Sequence, residues 1–354
     1  TIILVATSGD TGKAALEGYK NLPGIEIAVF YPQNGTSEIQ RLQMTTQEGD
    51  NVHVYAVDGN FDDAQTGVKH VFANTALAQE LALKNCHMTS ANSINWGRLA
   101  PQIVYYFASY LELCRRGEIC SGTPVDFCVP TGNFGDILAG YYAKQMGLPI
   151  HQLICASNQN CVLTDFGQTG TYNAARKFYK TASPSMDILV SSNLERLLFH
   201  ESGDTARVAE WMRVLMGTEQ SYTIDNELRE KISRIFRFGC ASEEECFATL
   251  ASVYRTTGYL ADPHTAVALH VAQQRTEPQT PCVVLSTANP YKFSAAVLTA
   301  LGESATENDF NNIAQLQRTV GTAAPKRLRE LQGKDVRFTE LLKPTELLRV
   351  AKTL

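Results

Sequence analysis

"TIILVATSGDTGKAAL", residues 1–16, is the stretch whose reading decides the fold. A β-branched run, Ile2 to Ala6, passes without a spacer into a small, hydroxyl-rich and glycine-rich turn, Thr7 to Gly12. The residues from Thr11 to Leu22 then read as a helix. Strand, turn and helix in this order form the unit from which open α/β sheets are assembled. Ligands of such sheets collect beyond the carboxyl ends of the strands, which is where this turn lies. Backbone N–H groups at a helix N-terminus favour an anion, and Ser8 and Thr11 add hydroxyl donors. The same residue types also make a plain helix cap, with a side-chain oxygen satisfying the first amides. Alone, the turn fits both readings equally.

The alternation continues down the chain. Residues 25–32 read as a strand, 37–49 as a helix and 51–59 as a strand. Helical stretches run from Asp62 to Leu83 and from Arg98 to Arg116, the second apolar on all sides and therefore expected to be well buried. Strands follow at 124–130 and 150–157, with the helix Ile137 to Met146 between them. "PCVVLS", residues 281–286, is one more strand, followed by a helix from Lys292 to Leu301. Repeated βα order predicts mainly parallel sheets with helices on both faces. A domain boundary is expected around Ser90 to Arg98, and the charged tail after Leu301 reads as peripheral.

Composition narrows the function classes. The chain has 354 residues, 44% hydrophobic and 19% charged, with a net charge of −5. That balance gives no basic footprint for nucleic acid or for an anionic membrane surface. No apolar run approaches the ~18 residues of a membrane span, and no signal peptide is visible. The nine cysteines, from Cys86 to Cys282, are odd in number and form no CxxC pair, which reads as reduced thiols in a cytoplasmic protein. The seven histidines are dispersed and no metal motif occurs. The chain opens on Thr1 rather than Met and runs straight into a strand, so an upstream part is expected to be missing from this sequence.

Four further loops carry polar groups. In "PTGNFGDIL", residues 130–138, a strand ends at Pro130 and Gly132-Asn133-Phe134-Gly135-Asp136 leads into a helix. Two glycines let the backbone fold into an anion-holding nest, although a tight turn capped by Asp136 fits as well. Neither the Walker lysine nor GxGxxG is present. "SANSINWGR", residues 90–98, gathers Ser90, Asn92, Ser93, Asn95 and Arg98. An arginine fork suits phosphate or carboxylate; the alternative is a polar loop with Arg98 in a salt bridge. "VVLSTANPYKF", residues 283–293, ends a strand on Ser286 and Thr287. "LADPHTAVAL", residues 260–269, places Asp262 as an N-cap, Pro263 at the first helical position and His264 in the first turn, where a structural or surface histidine is expected.

Taken together and in this order, the loops resemble those of threonine synthases, pyridoxal-phosphate enzymes of the tryptophan-synthase-β fold type. The resemblance rests on "ATSGDTG", "SANSINWGR", "TGNFGD", "SPSMDILVSSNLERLLF", "DPHTAVAL" and "STANPYKF", and runs from residue 2 to about 302. It implies an α/β fold of two open, mainly parallel sheets with the cofactor site between the domains. Residues 1–95 would be the remainder of a small substrate-side domain, 96–302 a large cofactor-phosphate domain, and 303–354 a peripheral helical segment. The cofactor phosphate would lie on Gly132, Asn133, Phe134, Gly135 and Asp136. Thr287 would face the pyridine nitrogen, a neutral partner that does not hold that nitrogen protonated. The Ser8-Gly9-Asp10-Thr11 loop would receive the amino-acid substrate, its carboxylate near Ser8 and Gly9. The substrate phosphate would lie near Thr11, Asn92, Ser93 and Arg98.

The implied reaction converts O-phospho-L-homoserine and water to L-threonine and phosphate, in a cytoplasmic monomer or homodimer. One departure stands out. The family's Schiff-base lysine lies in a Phe-Lys-Asp motif upstream of the Ser-Gly-Asp-Thr loop, and is expected upstream of Thr1. Lys13 and Lys20 follow the loop, and Lys292 sits in "NPYKF", where the family also carries a lysine, so none is a replacement. No catalytic residue is identified in the chain. The alternatives are a lysine-free pseudoenzyme that binds phosphorylated metabolites, another amino-acid lyase of the same fold and, last, a generic nucleotide-binding protein. "NSINWGR" disfavours the lyase, which has no substrate phosphate to hold.

Overall fold

A computed structural model describes residues 1–354. Its strands are β1 (Ile2–Ala6), β2 (Glu26–Pro32), β3 (Val52–Val57), β4 (Met88–Ser90), β5 (Val125–Pro130), β6 (Ile150–Ser157), β7 (Thr171–Asn173), β8 (Ser221–Thr223), β9 (Phe236–Cys240), β10 (Cys282–Val284) and β11 (Leu341–Leu342). β1 is buried at every position, and β2 and β5 at nearly every one. Parallel strands covered by helices on both faces need such continuous apolar runs rather than alternation. The chain forms two compact units, Thr1–Asn95 with Asn289–Leu354, and Trp96–Ala288.

The first unit holds a five-stranded sheet in the order β11-β3-β2-β1-β4, every pairing parallel. Ile3, Val5, Leu16, Ile27, Val29 and Met44 pack into its core. Complete burial of one such side chain contributes about 1.5–3 kcal/mol. The second unit holds a four-stranded sheet in the order β10-β5-β6-β9, again all parallel. A small antiparallel pair, β7 with β8, stands beside it in the sequence. The two-sheet, mainly parallel α/β expectation is what the structure shows.

Both sheets share one topological feature. In the first, β1, β2 and β3 step in one direction, while β4 lies on the other side of β1. In the second, β5, β6 and β9 step one way and β10 lies on the other side of β5. Such a reversal opens a crevice at the carboxyl ends of the two strands that flank it. The loops that follow β1 and β4 are 7–9 and 91–95; those that follow β5 and β10 are 131–134 and 285–289. These are the polar loops singled out in the sequence.

Several element readings change. The expected helix Arg98 to Arg116 is a short turn of helix at Trp96–Leu99, a 3-10 turn at Ala100–Gln102 and the helix Ile103–Arg115. It is not buried all round: Tyr106 and Tyr110 form its inward stripe, one helical turn apart, while Val104 and Leu111 are each 61% exposed. The stretch Asp62 to Leu83 divides into Phe61–Phe72 and Thr75–Leu83, because the Asn74 side chain caps the second helix at the Leu77 amide. The tail is no appendage. Residues 289–354 group with the first unit rather than dividing at 302. There β11 pairs with β3, and Leu347 packs so closely on Gly67 that a Cβ there would lie 2.8 Å from it. No helix is long and apolar enough to cross a membrane.

Candidate functional site

In the second unit, β5 ends against the loop Thr131–Phe134 and the helix Gly135–Gln145. The loop's carbonyls face inward. Ser191 Oγ donates to the Gly132 carbonyl at 2.8 Å, and the Asn193 backbone and side-chain N–H groups both donate to the Asn133 carbonyl at 3.1 Å. The Asn133 side chain accepts from the Gly135 amide at 2.9 Å. The amides of Gly132, Asn133 and Phe134 have no hydrogen-bond partner in the chain. Phe134 is held in the left-handed region at φ 65°, a conformation that costs about 1–2 kcal/mol outside glycine. Its fully buried ring, 5.5 Å from that of Phe236, holds it there. Clamped carbonyls, unpartnered amides and the positive end of a helix dipole together form an anion cradle.

Asp136 does not point its charge at that cradle. The Tyr106 hydroxyl donates to the Asp136 carbonyl at 2.8 Å and reaches its carboxylate at 3.2 Å. Burial pushes the Asp136 carboxyl up to about 6, with the tyrosine hydroxyl opposing that rise. Gly132 is needed for close approach: a Cβ would sit 2.9 Å from Ile188 Cδ1 and 3.0 Å from the Ser185 carbonyl oxygen. The segment it touches is fixed by buried groups. Asn158 Nδ2 donates to Asp187 at 2.8 Å, and the Thr181 amide donates to the other carboxylate oxygen at 2.9 Å. His264, itself buried, accepts from the Ser185 amide at Nε2 and pairs through Nδ1 with Asp262 at 2.8 Å. That arrangement places the ring proton on Nδ1 and makes His264 a brace for the cradle's support, in line with the structural reading of this residue. Burial alone would raise Asp262, yet the hydrogen bonds from His264 and Thr265 hold it below the ordinary carboxylate range.

Ser286 and Thr287 follow β10 and are exposed. Ser286 Oγ accepts from Tyr259 at 3.1 Å and from Thr265 at 3.4 Å. β10 pairs with β5 in parallel, Val284 beside Cys128, so Thr287 and the Gly132 loop leave neighbouring strand ends at one edge of one sheet.

In the first unit, Thr7 answers the question of the opening turn. Its buried Oγ1 accepts from the Gly9 and Gly12 amides, both at 2.9 Å. The cap is therefore Thr7, and the Thr11 hydroxyl has no partner in the chain. Gly9 has φ 144° and lies against Gln40, whose Cδ would be 2.5 Å from a Cβ at this position. Gln40 Nε2 donates to Asp10 Oδ1 at 2.9 Å, and Lys292 Nζ donates to the same oxygen at 2.7 Å.

The loop after β4 lies beside β1. Asn92 is bracketed there: its Oδ1 accepts from the Ala6 amide at 3.0 Å and its Nδ2 donates to the Ala6 carbonyl. Asn95 Nδ2 donates to Ser90 O at 2.7 Å. Both amides thus fix the loop against the strand end, and Asn92 keeps one of its two Nδ2 hydrogens beyond the bond to Ala6. Ser93 is half-buried on the same loop. Arg98 belongs to the second unit. It makes no ion pair, and its buried Nε has no hydrogen-bond partner, so the salt-bridge alternative is not realised.

Sequence reasoning names Thr7 in the turn without singling it out as the cap, and passes over Gln40, Ser191 and Asn193. The last two lie inside the quoted stretch "SSNLERLLF", but nothing in their spacing points at a loop about 60 residues away. Gln40 reads as one more helix residue unless the close approach of Gly9 is known.

Comparison with known proteins adds three findings. Residues 265–351 match the family model for the C-terminal part of threonine synthase. Among relatives, a threonine synthase-like 1 protein of Homo sapiens is 44% identical over 85% of this chain and 41% of its own length. A threonine synthase of Pseudomonas aeruginosa is 42% identical over 84% of this chain and 61% of its own. Among solved structures, a PLP-bound threonine synthase from Brucella melitensis superposes with a TM-score of 0.81 at 38% identity, covering 100% of this chain and 71% of that one. The chain thus spans between two fifths and two thirds of the curated relatives it matches.

Proposed function

Because the chain belongs to the threonine synthase family, we propose that it converts O-phospho-L-homoserine and water to L-threonine and phosphate, with pyridoxal phosphate as cofactor. Arg98 is the observation that carries this reading. A guanidinium with a buried, unpartnered Nε and no counter-ion is costly unless an anion completes it, and the substrate brings a phosphate.

The residues of the second unit fit the cofactor's phosphate. The Gly132, Asn133 and Phe134 amides would receive it, and the Thr287 hydroxyl would face the ring nitrogen. Asp136 contributes by fixing the helix start through Tyr106 rather than by touching the ligand. Bound pyridoxal phosphate supplies an electron sink for carbanion chemistry at the amino-acid carbons. In the first unit, Ser8, Gly9 and Thr11 would receive the substrate, with Ser93 contributing to its phosphate. Asp10 orients the loop, and Asn92 positions the strand end that carries it. Preorganised donors of this kind stabilise charge without reorganising during the reaction.

Calorimetric titration tests the assignment. Arg98→Ala should weaken O-phospho-L-homoserine binding about tenfold to a hundredfold, the range for a hydrogen bond to a charged group. Pyridoxal-phosphate affinity should change less than about twofold. Equal losses for both ligands would make Arg98 a structural residue and remove the support it gives.

A second reading is a chain that binds these phosphorylated compounds without turning them over. It is favoured by the state of the lysines near the loop. Lys13 and Lys20 both pair with Glu17, at 3.0 and 3.1 Å, and Lys292 pairs with Asp10. A nucleophilic lysine needs a positioned, desolvated amine free of such a partner. Borohydride reduction in the presence of pyridoxal phosphate, followed by peptide mass mapping, separates the readings for this chain.

A further inference from the structure

We propose that Lys292 is a positioning residue whose role is to cancel the charge of Asp10, so that the loop after β1 can accept an anion. The inference rests on the reading of that loop as the substrate side of the site. The loop carries one acidic group, and it sits at the first position of the helix Asp10–Tyr19. An uncompensated carboxylate there would oppose both the helix dipole's attraction for a ligand anion and the ligand itself.

Three features hold the compensation in place. Lys292 Nζ lies 2.7 Å from Asp10 Oδ1, with its side chain 18% exposed. Gln40, fully buried, donates to the same oxygen, while its own Oε1 accepts from the Ser37 hydroxyl at 3.2 Å. Gly9 leaves the space that the Gln40 amide fills. Lys292 is itself fixed, because the 3-10 turn Pro290–Phe293 begins with Asn289 capping the Tyr291 amide and continues with Tyr291 bonded to Thr322. The lysine of "NPYKF" is therefore aimed by the segment that returns to the first unit.

A contact that merely ties two segments together would be broken equally by removing either partner. Charge cancellation predicts opposite signs. With the chain saturated in pyridoxal phosphate, O-phospho-L-homoserine is titrated by calorimetry at low ionic strength. Lys292→Met should weaken binding about threefold to tenfold, the effect of one uncompensated charge in a partly exposed site. Asp10→Asn should tighten binding, because it leaves the Lys292 ammonium uncompensated near the ligand anion, and the double variant should return to within about twofold of the parent. Lys292→Arg should rescue. Weakening by both single variants overturns the inference and leaves the loop assignment standing. A double variant as weak as Lys292→Met also overturns it, since Lys292 would then touch the ligand directly. If the parent chain binds pyridoxal phosphate but no O-phospho-L-homoserine, the loop assignment falls, and the inference with it.

Discussion

Gly9-Asp10 and Gly135-Asp136 stand at equivalent places in two different sheets. Each follows the strand beside a reversal of strand order, and each opens a helix. Their local chemistry differs in what braces the turn and what matches the acid. In the first unit the turn is braced by its own side chains: Thr7 takes two amides and Asp10 is matched by Lys292 and Gln40, while the Thr11 hydroxyl is left without a partner. In the second unit the carbonyls are clamped by Ser191 and Asn193, the amides of 132–134 have no partner, and the acid is paired only with a tyrosine hydroxyl. A turn braced by its own side chains is stable between encounters and suits a ligand that comes and goes. A cradle with unpartnered amides suits a ligand that stays.

The sharpest way to break this contrast is Gly132→Val. Its side chain would press on Ile188 and on the backbone at 185–186, and overpacking of this kind costs about 1–3 kcal/mol. Pyridoxal-phosphate affinity, read by fluorescence titration, should fall about a hundredfold, since displacing the loop also loses its charge-assisted amide bonds. Thr7→Val probes the other turn. It keeps the shape and removes the acceptor of two amides, so urea unfolding should show a loss of about 1–2 kcal/mol with cofactor affinity unchanged. A loss of cofactor affinity instead would mean that the two turns are not independent.

The smallest effect concerns Asp136. Its carboxyl is raised to about 6 by burial, so the protonated form favours the folded state. That contribution is complete below the ordinary carboxylate range and is lost as pH rises through 6. The parent chain should therefore lose stability relative to Asp136→Asn between pH 4 and 7, followed by denaturant midpoints. Parallel pH profiles for the two proteins would show that Asp136 does not titrate this way.

Much of this was readable in advance, for a physical reason. Strands buried on both faces announce themselves as apolar runs, so β1, β2, β5 and β6 were visible from composition alone. The short strand β9, "FRFGC", was not, because it carries an arginine and only Phe236 is fully buried in it. The loops were visible because polar, glycine-containing turns after such strands are rare enough to notice. Which side chain does what inside them was less visible. Asn92 reads as a ligand donor, and the sequence does not show that it also brackets Ala6 with its oxygen and one of its two Nδ2 hydrogens, since a side-chain amide matches a backbone amide as well as it matches a phosphate. The helix Ile103–Arg115 looked buried because apolar residues cover it, but residue type does not reveal which face a neighbour covers.

The return of residues 289–354 to the first unit also has a consequence for synthesis. The second unit is one continuous stretch, 96–288, and can fold as soon as it leaves the ribosome. The first unit cannot be completed then, because the strand that pairs with β3 is Leu341–Leu342. Until that segment emerges, β3 remains an open edge able to pair with another chain. The nascent first unit is thus exposed to edge-to-edge aggregation until Leu341–Leu342 pairs with β3.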